Sequence, residues 1–248
     1  MTEKKKICLD QLLFERGLTE SREMAKRLIL EGKALVDGEV KDKPGEKVCA
    51  DAVLELKKDK YRFVSRGGEK LANLIESQSI VVDNKMCADI GASTGGFTDC
   101  LLQKGAAKVY AIDVGHAQLH EKLTSDPRVT VMDRINARYL TAGALPEEMD
   151  IIAIDVSFIS LTHIIPAALN LLAPTGIVIA LAKPQFEARR SKVPKSGVVK
   201  DSRVHESVLS FLSEFIRGLG CEITAIESSA LTGAKGNQEY FIVFHRHG

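Results

Sequence analysis

Two lysines and two acidic residues, far apart along the chain, fall at the ends of predicted helices and strands. They are Lys70, Asp155, Lys183 and Glu239. In an open sheet of parallel strands, ligands bind in the crevice outside the carboxyl ends of the strands. Amines and carboxylates gathered there could remove a proton from a hydroxyl group beside a bound cofactor. Such chemistry would suit the transfer of a methyl group to a ribose.

Lys183 is the residue of the four that most favours a catalytic interpretation. It follows an apolar, strand-like run over residues 177–182, and such an approach to a lone lysine is unusual. A lysine accepts a proton only as the neutral amine, a form that a second ammonium group favours and that carboxylates oppose. Taken singly, the others have structural explanations: Lys70 as a surface helix residue, Asp155 as a helix cap and Glu239 in a surface ion pair.

A glycine-rich loop over residues 91–96 follows a predicted strand and precedes a helix expected to begin near Thr98. Its glycines let the backbone turn tightly and approach a ligand. The loop lacks the lysine of a Walker loop and the spacing of the dinucleotide fingerprint. With acids on both sides it suits S-adenosylmethionine better than a nucleotide phosphate, although a plain structural turn explains the loop alone nearly as well. The candidate cofactor contacts are Asp89, Gly91, Ser93, Thr94, Gly95, Gly96, Phe97, Asp113 and Asp133.

Three of these acids have separate expected roles. Asp113 ends the second predicted strand, where its carboxylate can accept hydrogen bonds from ribose hydroxyls. Asp89 would lie near a cationic centre of the ligand. Asp133, together with Asn136, is a weaker candidate for contact with the adenine.

Seven strand-like runs alternate with helical patterns in the larger, carboxyl-terminal part of the chain. The runs cover residues 88–91, 109–114, 129–132, 151–156, 177–182, 222–226 and 240–244. The longest helical pattern, residues 204–219, has a single apolar stripe. Alternation of this kind predicts an α/β domain with a mostly parallel sheet and helices on both faces.

The first 60 residues follow a different pattern, with two short helices before several strands. An apolar stripe over residues 9–13 predicts the first helix, and the second is expected to end at Gly32. Asp37-Gly38 predicts the turn of a β-hairpin, and residues 52–56 a further strand. The pattern indicates a separate α+β block.

Composition narrows the class of protein. A chain of 248 residues, 45% of them hydrophobic, can hold one large domain, or one small and one medium domain. The formal net charge of +1 gives no general support for a nucleic-acid partner, so any basic surface must be local. Five cysteines without a C-x-x-C pair predict buried thiols in a reducing compartment. We expect His116 and His120 to be helix-surface residues, and we expect no metal site.

One apolar stretch, residues 164–182, has about the length of a membrane span. Prolines, an asparagine and a glycine interrupt it, and Pro174-Thr175-Gly176 is a turn signal. We therefore predict a buried helix up to Ala173, a buried strand from Ile177, and no stable membrane insertion. No secretory leader is predicted at the amino terminus.

The first block resembles the small αL RNA-binding domain of ribosomal small-subunit protein four, pseudouridine synthases and tyrosyl-tRNA synthetases. The matching residues are Leu9-Asp10, Leu12-Leu13, Gly17-Leu18, Ser21-Arg22, Ala25, Leu28-Ile29, Gly32, Val36, Gly38 and Lys43-Pro44-Gly45. The resemblance implies that the second helix and the loop after it contact RNA through Arg22, Lys26, Arg27 and Lys33. Charge alone favours a solvated helix face, because glutamates lie between these basic residues.

The second block resembles the FtsJ-type ribose methyltransferases in four segments that match in order, residues 65–71, 154–158, 181–187 and 236–240. With the leading domain, the chain resembles the TlyA family of ribosomal-RNA 2′-O-methyltransferases, long labelled hemolysins. The resemblance implies a Rossmann-like class I methyltransferase domain over residues 68–248, with a seven-stranded, mostly parallel sheet whose last strand is antiparallel. A linker over residues 61–67 would join it to the RNA-binding domain of residues 1–60.

The resemblance also implies a catalytic tetrad and a cofactor. The tetrad is Lys70, Asp155, Lys183 and Glu239, and the cofactor is S-adenosylmethionine. Lys183 would lie nearest the hydroxyl, oriented by Asp155 and Glu239, with Lys70 tuning the set. The expected partner is ribosomal RNA or a ribosomal subunit, with cytidine as the target, in the cytoplasm.

Several alternatives remain open at the level of sequence. The basic segment of residues 187–203, with Arg189 and Arg190, is equally consistent with phosphate contact and with a solvated loop. A membrane-lytic protein has support only from the apolar stretch, and a cofactor-binding RNA module without catalysis is a third interpretation. The oligomeric state is not determined by the sequence.

Overall fold

The structure is a computed structural model that describes residues 6–19, 21–30, 32–56, 62–233 and 236–247, with the side chain of Arg27 left aside. The chain divides into two units, residues 1–60 and residues 61–248. One apolar cluster forms the core of the first unit. Two apolar clusters form the core of the second, on opposite faces of its large sheet.

The first unit has an α+β fold, as predicted. Its described elements are β1 (Lys6–Cys8), α1 (Leu9–Glu15), α2 (Arg22–Leu30), β2 (Ala34–Val36), β3 (Glu39–Lys41), β4 (Lys47–Cys49) and β5 (Leu54–Leu56). β1 pairs with β4, and β2 lies between β3 and β5, all antiparallel. Asp37 and Gly38 have φ angles of 49° and 84°, the left-handed values that a tight hairpin turn requires. The predicted hairpin is confirmed.

The second unit alternates strands and helices. Its described elements are α3 (Arg66–Ser77), β6 (Met86–Ile90), α4 (Gly96–Gln103), β7 (Lys108–Ile112), α5 (Glu121–Thr124), β8 (Val129–Met132), β9 (Met149–Ile154), α6 (Ile165–Leu169), β10 (Leu172–Ala182), α7 (Pro184–Glu187), α8 (Ser202–Gly218), β11 (Cys221–Ser228) and β12 (Tyr240–Arg246). Short 3-10 turns cover Ala137–Tyr139, Leu161–His163 and Arg190–Lys192.

The seven strands form one sheet in the order β11-β12-β10-β9-β6-β7-β8. β12, the last strand, is antiparallel to both of its neighbours, and the pairs β10–β9, β9–β6, β6–β7 and β7–β8 are parallel. The central strands are covered on both faces, so alternate residues enter different cores: Ile152 and Ile154 one, Ile151 and Ala153 the other. The predicted fold class is confirmed.

The apolar stretch of residues 164–182 differs from its prediction. Helix α6 ends at Leu169, and β10 already begins at Leu172 and continues through Pro174-Thr175-Gly176. Leu172 pairs with Met149 of β9, and the register shifts before Ile177, so the expected turn is an irregularity within the strand. Proline is tolerated at such a break in the ladder because no sheet hydrogen bond is required of it there. Among the described residues, no helix is long and apolar enough to cross a membrane.

Two glycines allow α3 and α4 to begin side by side. A Cβ atom at Gly68 would lie 2.8 Å from the carbonyl oxygen of Gly96, and a Cβ atom at Gly96 would lie 2.9 Å from the nitrogen of Gly68. Such distances leave no room for a side chain at either position. The first turn of α3, which directly precedes Lys70, is thereby held against the start of α4.

The segment expected to be a linker, residues 61–67, falls in the second unit. Phe63 is 4% exposed and belongs to one of its cores. The Ser65 hydroxyl caps α3 by accepting a hydrogen bond from the nitrogen of Gly67 at 3.3 Å. Helix α3 therefore begins inside the expected linker, because Ser65 satisfies its first free backbone donor.

Candidate active site

The order of the strands reverses between β6 and β9, and the four predicted residues lie at the carboxyl edge of this switch point. Asp155 follows β9 and Lys183 follows β10. Glu239 directly precedes β12, whose antiparallel direction puts its start at the same edge. Lys70 comes from α3, which precedes the sheet in the chain.

The four charged groups form two ion pairs. Lys183 Nζ lies 2.5 Å from Asp155 Oδ1, and Lys70 Nζ donates to Glu239 Oε2 at 2.5 Å. Lys70 and Glu239 are buried, with 8% and 3% of their surface exposed. The expected arrangement is therefore corrected in one respect: Glu239 pairs with Lys70, and Asp155 is the carboxylate that orients Lys183. Glu239 reaches Lys70 just beyond the first turn of α3, a contact that was not predicted from the sequence.

Ser157 is a site residue that was not predicted from the sequence. Its hydroxyl accepts a hydrogen bond from Lys183 Nζ at 3.0 Å. The position two residues after Asp155, on the same loop, was the available signal. Lys183 is thus held by a carboxylate and a hydroxyl, which fixes the direction of its amine.

Three cavities meet at this edge. One of about 560 Å³ is lined by Lys70, Lys183 and Glu239, and one of about 200 Å³ lies over the glycine loop. A third, of about 540 Å³, lies at the ends of β6, β7 and β9. Ser157 lines all three cavities, and Lys183 lines the first two. A group transferred from the cavity over the glycine loop to the cavity of about 560 Å³ would therefore pass the Lys183 amine.

The glycine loop brings backbone close to the ends of the strands. Gly91 and Gly95 have φ angles of 88° and 93°, which favour glycine. A Cβ atom at Gly91 would lie 2.5 Å from the carbonyl oxygen of Asp155. The loop cavity is lined by the predicted contacts Asp89, Gly91, Ser93, Thr94, Gly96 and Phe97. Gly95 caps α4 in the left-handed conformation.

Asp113 lies at the end of β7 and lines the third cavity, as predicted for a ribose contact. Its carboxylate already accepts hydrogen bonds from the backbone of Ser93 at 2.8 Å and of Gly115 at 2.7 Å. These bonds fix the acid between the glycine loop and the β7 end. Apolar residues Ile112 and Ile135 line the same cavity, which could take a flat ring.

Asp89 is completely buried beneath the glycine loop. Burial, the largest effect, raises the pKa of Asp89 to about 7, although hydrogen bonds from the nitrogen and hydroxyl of Thr98 oppose this; negative charge on Asp155 and Asp113 adds to the increase. Its Oδ1 atom has no hydrogen-bond partner among the described residues. A cation above the loop would stabilise the ionised form.

Asp133 follows β8, as expected, but it lines none of the three cavities. Its carboxylate accepts a hydrogen bond from the nitrogen of Ala117 at 2.7 Å and contacts the His116 ring at 3.1 Å. Asn136 is the residue of this segment that lines the third cavity. His116 lies in a loop, and His120 precedes α5 as its cap, so the expectation of helix-surface histidines was wrong.

These residues fit a sulfonium nucleoside. The third cavity offers apolar walls and the Asp113 carboxylate for a nucleoside, and the loop cavity is lined by Asp89 and Asp155. The unpartnered buried oxygen of Asp89 indicates a place where positive charge would be favourable. S-adenosylmethionine combines these features.

The predicted RNA contacts differ in their surroundings. Arg22 donates through Nε to Asp10 at 2.7 Å, although its side chain remains 46% exposed. Lys26, Arg189 and Arg190 are exposed, and Lys33 is partly buried. The side chain of Arg27 lies outside the described residues.

Comparison with known proteins gives matches over both units. A family model for FtsJ-like methyltransferases matches residues 63–246, and a model for the S4 domain matches residues 9–54. A Bacillus subtilis protein with an rRNA methyltransferase label, YqxC, is 46% identical over 246 residues, which is 99% of this chain and 87% of that protein. The 16S/23S rRNA (cytidine-2′-O)-methyltransferase TlyA of Mycobacterium tuberculosis is 40% identical over 235 residues, 94% of this chain and 88% of that protein.

A solved structure also matches nearly the whole chain. A Streptococcus thermophilus protein with a hemolysin label has a TM-score of 0.75 and 42% identity, covering 97% of this chain and 88% of that one. This chain therefore shares its fold with that protein over nearly its whole length. The chain is a member of the FtsJ-like methyltransferase family and, with its amino-terminal S4 domain, of the TlyA group.

Proposed function

We propose that this protein is an S-adenosylmethionine-dependent 2′-O-methyltransferase that acts on the ribose of a cytidine in ribosomal RNA. The observation that carries the proposal is the Lys183 amine, which Asp155 and Ser157 hold where the cavity over the glycine loop meets the cavity of about 560 Å³. The choice of ribosomal RNA and cytidine is supported by the Mycobacterium tuberculosis relative, a 16S/23S rRNA (cytidine-2′-O)-methyltransferase.

The chain's own residues would carry out the proton transfer and the alignment. S-adenosylmethionine, when bound, supplies an electrophilic methyl group. Lys183 Nζ, as the neutral amine, accepts the proton of the ribose 2′-hydroxyl. The ribose oxygen would then bond to the methyl carbon as the bond between that carbon and the cofactor sulfur breaks, so that the cofactor would leave as a neutral thioether. Asp155 and Ser157 keep the amine directed at that oxygen, and Lys70 and Glu239 line the same cavity of about 560 Å³. Alignment of this kind supplies much of the rate of such reactions.

The two units would divide the work. The unit of residues 1–60 binds RNA, with the exposed side chain of Lys26 as one phosphate contact. Residues 68–248 hold the cofactor and the target nucleotide. Arg189 and Arg190 follow α7 closely and are exposed, so they would contact phosphates near the target. We expect the reaction to occur in the cytoplasm, because the proposed substrate is ribosomal.

The test is methylation of purified ribosomal subunits with S-adenosylmethionine carrying a labelled methyl group, followed by mass spectrometry of the RNA. Lys183→Ala should lower the rate by about 10²- to 10⁴-fold, because it removes a positioned base. Its affinity for the cofactor, measured by calorimetry, should stay within a few-fold of the wild type.

Lys104→Ala provides the control. Lys104 is also paired with a carboxylate, Glu76 at 2.7 Å, but it follows the end of α4 and lines none of the three cavities. It should retain wild-type activity. Normal methylation by Lys183→Ala would disprove the proposed mechanism, and an inactive wild type that binds both ligands would support the non-catalytic interpretation.

A further inference from the structure

We propose that Glu187 is a positioning residue: its carboxylate clamps the segment that carries Lys183 against the loop that carries Asp155 and Ser157. The inference rests on the proposed function. It concerns a residue outside the tetrad, which acts through Lys183.

Two short segments run beside each other where β9 and β10 end, residues 155–161 and residues 183–187. They are joined by a ladder of side-chain contacts. In chain order these are Asp155 to Lys183 at 2.5 Å, Ser157 to Lys183 at 3.0 Å, the Phe158 and Phe186 rings at 4.9 Å between centroids, Ser160 to Glu187 at 2.6 Å and Leu161 to Glu187 at 2.8 Å. The reactive amine is at one end of the ladder and Glu187 is at the other.

Glu187 supplies the carboxylate at the far end of the segment of residues 183–187. Its Oε2 accepts from the Ser160 hydroxyl and its Oε1 accepts from the nitrogen of Leu161. Ser160 also caps the 3-10 turn that begins at Leu161. One partly buried carboxylate therefore fixes both the cap and the first residue of that turn.

The loop of residues 155–161 needs a restraint such as the two hydrogen bonds to Glu187. Phe158 has a φ angle of 65°, a left-handed conformation that is strained for a bulky side chain, and its ring is 89% exposed. Little packing holds this residue in place except its contact with Phe186. Without the Glu187 bonds the loop could relax toward ordinary backbone angles, and the Ser157 hydroxyl would leave Lys183.

Loss of the Glu187 hydrogen bonds would change the alignment of the Lys183 amine with the ribose hydroxyl. A misplacement of about 1 Å at a reacting group can cost about 10²-fold in rate. Neither the affinity for the cofactor nor that for the target nucleotide should change much, because Glu187 lines none of the three cavities at the site. A fall in kcat with constant KM is the signature of a lost alignment, rather than of lost binding.

The experiment compares three variants of the full chain. Glu187→Leu keeps the volume but removes both acceptors, and kcat for methylation of ribosomal subunits should fall by about 10- to 100-fold with KM within twofold. Glu187→Gln should rescue the activity to within about threefold, because its amide can accept from Leu161 and donate to Ser160. Glu227→Leu is the matched control: Glu227 also accepts two bonds, from Ser77 and Gln78, but it lies on β11 and lines none of the site cavities.

A second measurement does not depend on activity. Hydrogen–deuterium exchange of the Leu161 amide should become about tenfold faster in Glu187→Leu and stay close to wild type in Glu187→Gln. If Glu187→Leu fails to fold, Ser160→Ala removes one of the two bonds, and a smaller change in the same direction is expected. Wild-type kcat and wild-type exchange in the folded Leu variant would overturn the inference. An inactive wild type whose Leu161 amide still responds would instead contradict the proposed function alone.

Discussion

Asp89 shows how one buried group can make the stability of the protein depend on pH. It is fully buried beneath the glycine loop, and burial raises its pKa to about 7. Between its ordinary pKa, 3.8, and this value, the folded chain keeps a proton that the unfolded chain has lost. The contribution of Asp89 to stability is therefore complete below pH 4 and is lost as the pH rises through about 7.

Asp89→Asn should remove this dependence. The free energy of unfolding of the wild type, relative to the variant, should fall by about 1.4 kcal/mol per pH unit between roughly pH 5 and 7 and then level off. Urea denaturation of both proteins at several pH values measures the difference. Asp126→Asn is the control. The pKa of Asp126 is lowered, chiefly by its hydrogen bond with Arg128, so this carboxyl group titrates below pH 5. A constant difference for Asp89→Asn would mean that Asp89 is ionised throughout.

The sequence predicted which charged residues meet at the site, but not how they pair. Asp155, Lys183 and Glu239 each adjoin a strand end, and strand ends at one edge of a sheet must be close. Pairing depends on side-chain reach: Glu239 contacts Lys70, and Lys183 contacts Asp155 and Ser157. Side-chain reach also explains the result for Asp133. Its place after β8 was predicted, but its carboxylate accepts a hydrogen bond from the nitrogen of Ala117.

At the scale of elements, the contact between α3 and α4 sets the place of Lys70. Gly96→Ala would put a methyl group against the Ser65 hydroxyl and 2.9 Å from the nitrogen of Gly68. The helices would have to separate, and Lys70 would move away from Glu239. We expect a loss of about 1–3 kcal/mol in the free energy of unfolding, typical of overpacking, together with a lower methylation rate.

Gly218→Ala is the matched change at an open position. Gly218 ends α8, and a Cβ atom there meets nothing within 4 Å. This variant should be as stable as the wild type or about 0.4–1 kcal/mol more stable, because alanine restricts the unfolded chain. Equal stability of the two variants in urea denaturation would show that the helices tolerate a side chain at Gly96.

Strongly patterned elements were predictable, and irregular ones were not. The seven strands of the large sheet and the long helix α8 follow from apolar periodicity. β1 and β4 have three residues each, too few to show a period. The break at Pro174-Thr175-Gly176 has the composition of a turn, but pairing of Leu172 with Met149 extends the strand past it. Local turn preference is overridden there by contacts distant in sequence.

At the scale of the whole molecule, the chain consists of two units with separate cores. Both were predicted from a change of pattern along the chain, from short helices and a hairpin to alternating strands and helices. A unit of about 60 residues buries a smaller share of its surface than a larger one and is correspondingly marginal. The first unit should therefore unfold at a lower temperature than the second.

A substitution at Asp10 tests whether the first unit unfolds separately from the second. It is 2% exposed on α1 and accepts from Arg22 Nε at 2.7 Å. Burial alone would raise the pKa of Asp10, but bonds from Arg22 and from its own helix backbone outweigh it and leave the pKa lowered. The pair therefore stabilises the first unit at neutral pH, and this contribution is lost as the pH falls through the lowered pKa of Asp10.

Asp10→Asn should destabilise the first unit alone, by about 1–3 kcal/mol at pH 7, because a hydrogen bond to a charged group is lost in a buried position. Differential scanning calorimetry of the full chain should show two transitions, with only the lower one shifted by the substitution. Below about pH 4 wild type and variant should converge, since Asp10 is increasingly protonated in both the folded and unfolded states. One shared transition, displaced as a whole by Asp10→Asn, would instead mean that the two cores unfold as a single cooperative unit.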